Sequence, residues 1–467
     1  MIRVFFSALL MLFVCFSQAA GKKPNVVILV ADQWRAQAVG FAGDPNVRTP
    51  NLDRLAACSV NVTNAISGCP VCSPFRASLL TGQRPLTHGV FVNDVPLNTN
   101  AVTIAKVLKN AGYDTACIGK WHVDGHGRNS FIPRERRQGF DYWKVLECTH
   151  DYNNSEYFAD TPEKLKWNGY DALAQTEDAK TYMTNHARDA KPFFLLLAWG
   201  PPHNPYETAP EEYRKIYNGK DLKLRPNVPA NDVDRARKDL AGYYAHCTAL
   251  DKCVGDLWQT LKDAGIERDT IVLFTSDHGD MLWSQGNIRK QRPWDESIRI
   301  PLLIHYPAAF GDSGKKLGAL VNAQDLMPTL LGLCNVKIPK TSEGIDYSKY
   351  FERGRGRIPD CALITCPVPF GEFTGKVGGR EYRGIRTERY TYVRDLNGPW
   401  LLYDNQTDPY QLTNLCNRGE APVPQADMDK LLKKRLNETH DDFLPGKVYL
   451  QKWNYVINEH GSTKVRE

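Results

Sequence analysis

Apolar residues run unbroken from Val26 to Val30 and give way at Asp32-Gln33. A strand that is apolar at every position, not only at alternate ones, is covered on both faces. The same pattern returns at residues 193–198, 270–275 and 301–305, with a shorter run at 114–118. Between these runs the period becomes helical. Residues 51–57 read as a short helix. Ile104, Val107 and Leu108 share a face within 103–111, stopped by Gly112, and Leu250, Val254, Leu257 and Leu261 share one within 240–264. Strands alternating with amphipathic helices predict an α/β domain with a largely parallel central sheet flanked by helices. Four of the strands lead directly into polar residues: Asp32, Lys120, His203 and Asp277. The carboxyl ends of such a sheet are where ligand sites form, so positions some 245 residues apart can converge.

The pattern weakens twice. Residues 124–190 read as an excursion of loops and short elements, a frequent place for substrate contacts. After about residue 345, strands at 383–393 and 400–403, a turn-rich stretch at 404–415 and a helix at 428–437 predict a smaller C-terminal subdomain of antiparallel strands plus a helix. At the other end, Arg3, an apolar run over 4–16 and Ser17-Gln18-Ala19-Ala20 read as a secretory signal too short to span a bilayer. The expected organisation is a leader at 1–20, a catalytic α/β domain at 21–345 and the subdomain at 346–467. The mature protein is expected to be secreted or periplasmic, or lysosomal or extracellular in a eukaryote, with no membrane span.

Charge and cysteine content change this picture modestly. The formal charge of +6 becomes +5 without Arg3, which is compatible with anionic substrates, and no basic run or motif points to nucleic acid. Of twelve cysteines, Cys15 leaves with the leader, and an odd count of eleven implies an unpaired thiol. Cys361 and Cys366 are spaced to close a small loop. Asn61, Asn153, Asn405 and Asn437 open glycosylation sequons in a host that uses them.

Cys72-Ser73-Pro74-Phe75-Arg76 through Thr81-Gly82 has the grammar of a short helix with a thiol at its mouth. Ser73 can cap it, Pro74 suits the first turn and Gly82 the C-terminus. Cys72 would then sit where backbone N–H groups favour an anion, with Arg76 one turn away. The thiol alone carries other readings, because exported cysteines are usually half of a disulfide and Cys69-Pro70-Val71-Cys72 has redox spacing. Asp32, Asp277 and the Gln33 amide oxygen form an oxygen-rich donor set for Ca²⁺ or Mg²⁺, and His278 extends it to Mn²⁺ or Zn²⁺. His122 and His203, beside lysines at strand ends, are candidates for proton transfer.

Together these segments resemble the type I sulfatases of the alkaline phosphatase superfamily. The resemblance rests on Cys72-Ser73-Pro74-Phe75-Arg76 with Thr81-Gly82, Asp32, Gly119-Lys120-Trp121-His122, Pro201-Pro202-His203-Asn204-Pro205, Ser276-Asp277-His278-Gly279 and Lys290. It extends through 296–301 to the C-terminal 386–390 and 402–409. It implies an alkaline-phosphatase-like fold and oxidation of Cys72 to Cα-formylglycine (3-oxoalanine) by a separate, transiently bound maturation enzyme. One hydroxyl of the hydrated aldehyde would attack sulfur and displace the alcohol, and the other would lose a proton so that sulfate is expelled. By resemblance, Asp32, Gln33, Asp277, His278 and the modified Cys72 hold one divalent metal, Ca²⁺ foremost. Arg76 and Lys120 steady the gem-diol and the sulfate, and His122 takes the second proton. His203 and Lys290 bind sulfate and protonate the leaving oxygen.

Two positions depart from the commoner family pattern. Gln33 stands where many members have Asp, and His278 where many have Asn. Both are similar to the branch containing iduronate and choline sulfatases and phosphonate monoester hydrolases. The expectation is therefore an exported sulfatase, a sulfuric ester hydrolase, acting on a sulfated polysaccharide or oligosaccharide. A phosphonate monoester or phosphodiester hydrolase on the same scaffold is the first alternative, and a non-catalytic carbohydrate-binding relative the second. His126, Arg128, His150 and Arg380 are candidate substrate contacts, each equally served by a solvated or structural role.

Overall fold

The computed structural model describes residues 23–356, 358–418, 425–458 and 463–465. The leader expected at 1–20 lies outside them. Eight strands form the main sheet: β1 (Asn25–Asp32), β2 (Val60–Ile66), β3 (Asp114–Lys120), β4 (Tyr142–Leu146), β7 (Phe193–Pro202), β8 (Thr270–Ser276), β9 (Leu302–His305) and β10 (Lys315–Asn322), while β5 (Glu156–Tyr157) and β6 (Leu165–Lys166) make a separate ribbon. The order is β10-β2-β9-β8-β1-β7-β3-β4, and only β9 runs against its neighbours among the described residues. The expected largely parallel sheet is present.

The apolar runs are explained by what covers them. Val26, Ile28 and Val30 pack on one face with Phe75, Leu79 and Leu80 of the Cys72 helix. Val27, Leu29 and Ala31 pack on the other with Leu250, Val254, Leu257 and Leu261 of the long helix Val233–Asp263. With both faces dry, strand alternation disappears and a continuous apolar run is the stable solution.

The excursion at 124–190 is more ordered than its pattern suggests. It contributes edge strand β4 and a 16-residue helix, Asp171–His186. That helix buries Asp171, Ala172, Gln175, Thr176, Ala179, Tyr182 and Met183, so its inward face is largely small or polar and gives little hydrophobic periodicity.

The smaller sheet, β11 (Ala362–Cys366), β12 (Tyr382–Arg386), β13 (Tyr390–Asp395) and β14 (Gly398–Asp404), is antiparallel throughout. One face packs on Ile66, Ile298 and Leu320 of the main domain, and the other receives Leu432 of the helix Gln425–Glu438. The helix Ser348–Arg353 still belongs to the large core through Phe351, and Tyr449 and Tyr455 return to that core against Phe91. Cys361 and Cys366 close no loop. Five residues apart along an extended chain they face opposite ways, Cys366 toward the main domain and Cys361 toward the helix. All eleven described cysteines are free.

Candidate active site

Four adjacent parallel strands, β8-β1-β7-β3, deliver Asp277, Asp32, His203 and Lys120 to one edge of the sheet. At this edge the strands leave their regular register. The β1–β7 pairing shifts between Val30 and Asp32, Gln33 takes φ 70° and His122 φ 60°. Such left-handed conformations are costly for residues with a Cβ and concentrate at functional sites. Gly119 has φ +96°, and a Cβ there would lie 2.2 Å from the Ala198 carbonyl oxygen, so only glycine lets β3 approach β7 this closely.

The Cys72 helix spans Cys72–Thr81, wholly buried, and ends on left-handed Gly82 (φ 67°). The expected Ser73 cap is not formed. Extended Val71 occupies the capping position, Cys72 is the first helical residue, and the Ser73 hydroxyl donates to the His122 carbonyl at 2.5 Å. Asn93 Oδ1 accepts the Ser73 N–H at 3.0 Å. Cys72 therefore occupies the helix N-terminus, as expected.

Lysine, histidine and aspartate side chains converge on the thiol. Cys72 Sγ lies 3.2 Å from Lys290 Nζ, 3.3 Å from His278 Nε2 and 3.8 Å from both Lys120 Nζ and Asp32 Oδ1. Burial and the Asp32 carboxylate oppose ionisation of this thiol, but Lys120, Lys290 and His278 outweigh them and hold it well below the ordinary thiol range. Arg76 Nη2 donates to Asp32 Oδ2 and Asp277 Oδ2, each at 3.1 Å, and Lys120 Nζ donates to Asp32 Oδ2 at 2.6 Å. Burial works against the charge on Asp32, and the Lys120 and Arg76 cations more than restore it.

With both Oδ2 atoms held by cations, the Oδ1 atoms of Asp32 and Asp277 face His278 Nε2 at 3.7 and 3.5 Å. Asp32, Cys72, Asp277 and His278 each place a ligand atom within 4.8 Å of the others, and all four residues are buried. His278 Nδ1 donates to the Gly279 carbonyl at 2.9 Å, which fixes the ring with Nε2 turned toward the carboxylates. Gln33 Nε2 donates to Asp280 Oδ2 at 2.8 Å, while its Oε1 is buried with no partner among the described residues. A buried orphan amide oxygen beside two carboxylates and an imidazole fits a divalent cation.

The two remaining histidines are differently held. His203 Nδ1 donates to the Asn204 carbonyl at 2.8 Å, so Nε2 accepts from Lys290 Nζ at 3.0 Å. Burial and Lys290 keep this imidazole neutral. His122 Nε2 meets Asp94 Oδ1 at 3.2 Å, and its Nδ1 is buried without a partner among the described residues. Burial disfavours its charge, but Cys148, Asp94 and Cys72 outweigh burial and Lys120, raising it to about 9.

A cavity of about 240 Å³ opens onto Cys72, Lys120, His122, His203 and Lys290. Of the four candidate substrate contacts, Arg128 and His150 line it. Arg128 forks Asp94 through Nε and Nη2 at 2.9 and 2.8 Å, and His150 stacks on His203 with ring centroids 4.5 Å apart. His126 and Arg380 do not line it. His126 turns back to the Asp124 carbonyl at 2.6 Å, and Arg380 pairs with Asp395 at 2.7 Å over the Trp400 ring in the small sheet. Sequence reasoning missed Asn93, Asp94, Cys148, Arg289, Phe370 and Glu372, which complete the wall. Arg289, adjacent to Lys290, and Cys148, two residues before His150, stood near residues the sequence had singled out. Cys148 is buried, yet Lys120, His122 and His150 outweigh that burial and bring its thiol down to about 5.

Comparison with known proteins gives this geometry a context. The sulfatase family profile matches residues 24–336, and that of the N-sulphoglucosamine sulphohydrolase C-terminal region matches 285–442. An ulvan-active sulfatase of Formosa agariphila is 45% identical over 94% of this chain and 86% of its own length. An endo-4-O-sulfatase of Bacteroides thetaiotaomicron is 32% identical over 84% of this chain and 88% of its own. The crystal structure of a Bacteroides fragilis protein assigned to the sulfatases superposes with a TM-score of 0.82 at 31% identity, covering 91% of this chain and 98% of that one.

Proposed function

The chain belongs to the sulfatase family of sulfuric ester hydrolases, and on that premise we propose that it desulfates a polysaccharide or oligosaccharide using formylglycine at position 72. The observation that carries this reading is the buried convergence of Lys290, Lys120 and His278 on Cys72 at a helix N-terminus. Support for the substrate class comes from the ulvan-active relative, which is similar over nearly the whole chain.

The family carries a divalent metal, and Asp32, Gln33, Asp277 and His278, with the oxidised Cys72, would hold it. Ca²⁺ is the proposed ion, because oxidation of the thiol leaves a set dominated by oxygen donors. When bound, the metal acidifies the hydroxyl that attacks sulfur. The remaining chemistry falls to the protein's own groups. Lys120 and Lys290 neutralise the transferring sulfuryl oxygens, a role that fixed cations fill well in a buried site. Lys290 donates to the His203 lone pair and is the proton source for the departing alcohol. His122 receives the second hydroxyl's proton. Its affinity for a proton is raised by Cys148, Asp94 and Cys72, and oxidation of Cys72 removes one of these three.

Maturation requires a formylglycine-generating enzyme as a transient partner. Export follows from the leader at 1–20, and no helix among the described residues is long and apolar enough to cross a membrane. The test is turnover by matured protein of a panel of sulfated saccharides beside an aryl sulfate and an aryl phosphodiester. Sulfate release from at least one saccharide is expected, with the aryl sulfate faster than the phosphodiester. Faster phosphodiester cleavage, with no sulfate released from any saccharide, would contradict the proposal.

A further inference from the structure

The cations lining the cavity are engaged, with one exception. Arg128 forks Asp94, Lys120 is bonded to Asp32, and Lys290 is shared between Cys72 and His203. The Arg289 guanidinium lines the same cavity and makes no ion pair or side-chain hydrogen bond among the described residues. Its backbone, by contrast, is firmly fixed. Arg289 takes φ 61°, its N–H donates to Asp280 Oδ1 at 2.9 Å, and its carbonyl accepts from Met281 at 2.9 Å. Asp280 in turn takes Gln33 Nε2 at 2.8 Å and the Tyr206 hydroxyl at 2.5 Å. The strained turn carrying Arg289 is thus tied to the residue that positions the Gln33 amide. Glu372, from the small domain, lines the same cavity, and its Oε1 is buried without a partner among the described residues.

A guanidinium with all its donors unspent, on a rigid backbone at the wall of a cavity, is a receptor for a planar or tetrahedral oxyanion. The sulfate undergoing hydrolysis is already served by Lys120 and Lys290 beside Cys72. We infer that Arg289 determines specificity by binding a second anionic group of the saccharide, a carboxylate or a further sulfate ester, while Glu372 accepts a sugar hydroxyl. This rests on the sulfated-saccharide reading given above.

Calorimetric binding to the Cys72→Ala protein tests it without turnover. Three oligosaccharide probes are compared: one with a single sulfate, one with a sulfate and a uronate carboxylate, and one with two sulfates. At least one dianionic probe is expected to bind roughly tenfold or more tighter than the monosulfated one, as a charged hydrogen-bond pair allows. Which probe gains identifies the anion. Arg289→Gln in the same background should remove that gap, and Arg289→Lys should keep part of it, with thermal unfolding of each variant showing that it is folded. A gap that survives Arg289→Gln, or no gap in the parent, would overturn the role of Arg289 while leaving saccharide binding intact. Absence of binding by all three probes would instead overturn the saccharide reading and this inference with it.

Discussion

Arg383 in the small sheet and Lys290 beside Cys72 are both buried cations, and their surroundings could hardly differ more. Arg383 sends Nε and Nη2 to the two carboxylate oxygens of Asp441 and Nη1 to the Tyr382 carbonyl, between the rings of Phe443 and Tyr449. Nearby Arg386 spends its guanidinium on Asp295 and on two backbone carbonyls. Lys290 has no carboxylate within ion-pair distance among the described residues; its contacts are a thiol and a neutral imidazole. Arg76 and Lys120 must share Asp32. Where a guanidinium has its donors spent on carboxylate and carbonyl oxygens, as Arg383 does on Asp441 and Tyr382, the charges hold structure together. At the strand ends, donors and one amide oxygen are left over, and the surplus is what an incoming cation and oxyanion would satisfy.

Substitutions can separate the two regions. Cys72→Ala should have the largest effect, a loss of turnover on the order of 10⁴-fold or more with the unfolding midpoint little changed, because the reaction loses its nucleophile and the fold only a small side chain. Activity of the purified, folded variant decides this. Asp441→Ala should show the opposite pattern. It strands Arg383 in the interior and should cost roughly 3–5 kcal/mol in urea unfolding, while the protein that remains folded keeps its kcat. Lys290→Met should lower kcat about 10²–10³-fold, as expected for removing one fixed stabiliser of developing charge. It should leave the melting temperature little changed, since no carboxylate is stranded when this ammonium is removed. A drop in melting temperature comparable to that of Asp441→Ala would erase the distinction.

The smallest effect concerns a buried carboxylate with no cation beside it. Burial raises Asp171 to about 8 from an ordinary 3.8, against the Ser155 hydroxyl and the Ala172 N–H. The folded state then holds a proton that the unfolded chain releases. Its stabilising contribution is complete below about 3.8 and is lost as pH rises through about 8. Asp171→Asn should therefore melt higher relative to the parent at pH 8.5 than at pH 5, by about a few degrees. An equal difference at both pH values would show that Asp171 ionises normally.

Much of this was legible in the sequence, for reasons that particular residues make clear. The runs of β1, β7 and β8 announced buried strands because both faces are covered, and the polar residue closing each marked the site edge. The strands β2 and β10 were missed. In β2, Thr63 and Asn64 interrupt the apolar pattern, and β10 begins with two lysines. The helix Asp171–His186 was hidden because its inward face carries Gln175 and Thr176. Asp94, Arg289 and Glu372 reach the cavity from three loops far apart in sequence, and loops leave no periodicity to read. His126 and Arg380 were drawn in by residue type alone, and each has a local acceptor that holds it elsewhere.

The most direct test is the mass of the peptide carrying residue 72, from protein expressed with a formylglycine-generating enzyme, measured alongside sulfate release. Conversion of the thiol to the aldehyde lowers the mass by about 18 Da. Sulfate release from the saccharide should rise in proportion to the converted fraction and vanish in protein whose thiol is intact. Full sulfate release by a preparation in which Cys72 remains a thiol would contradict the account.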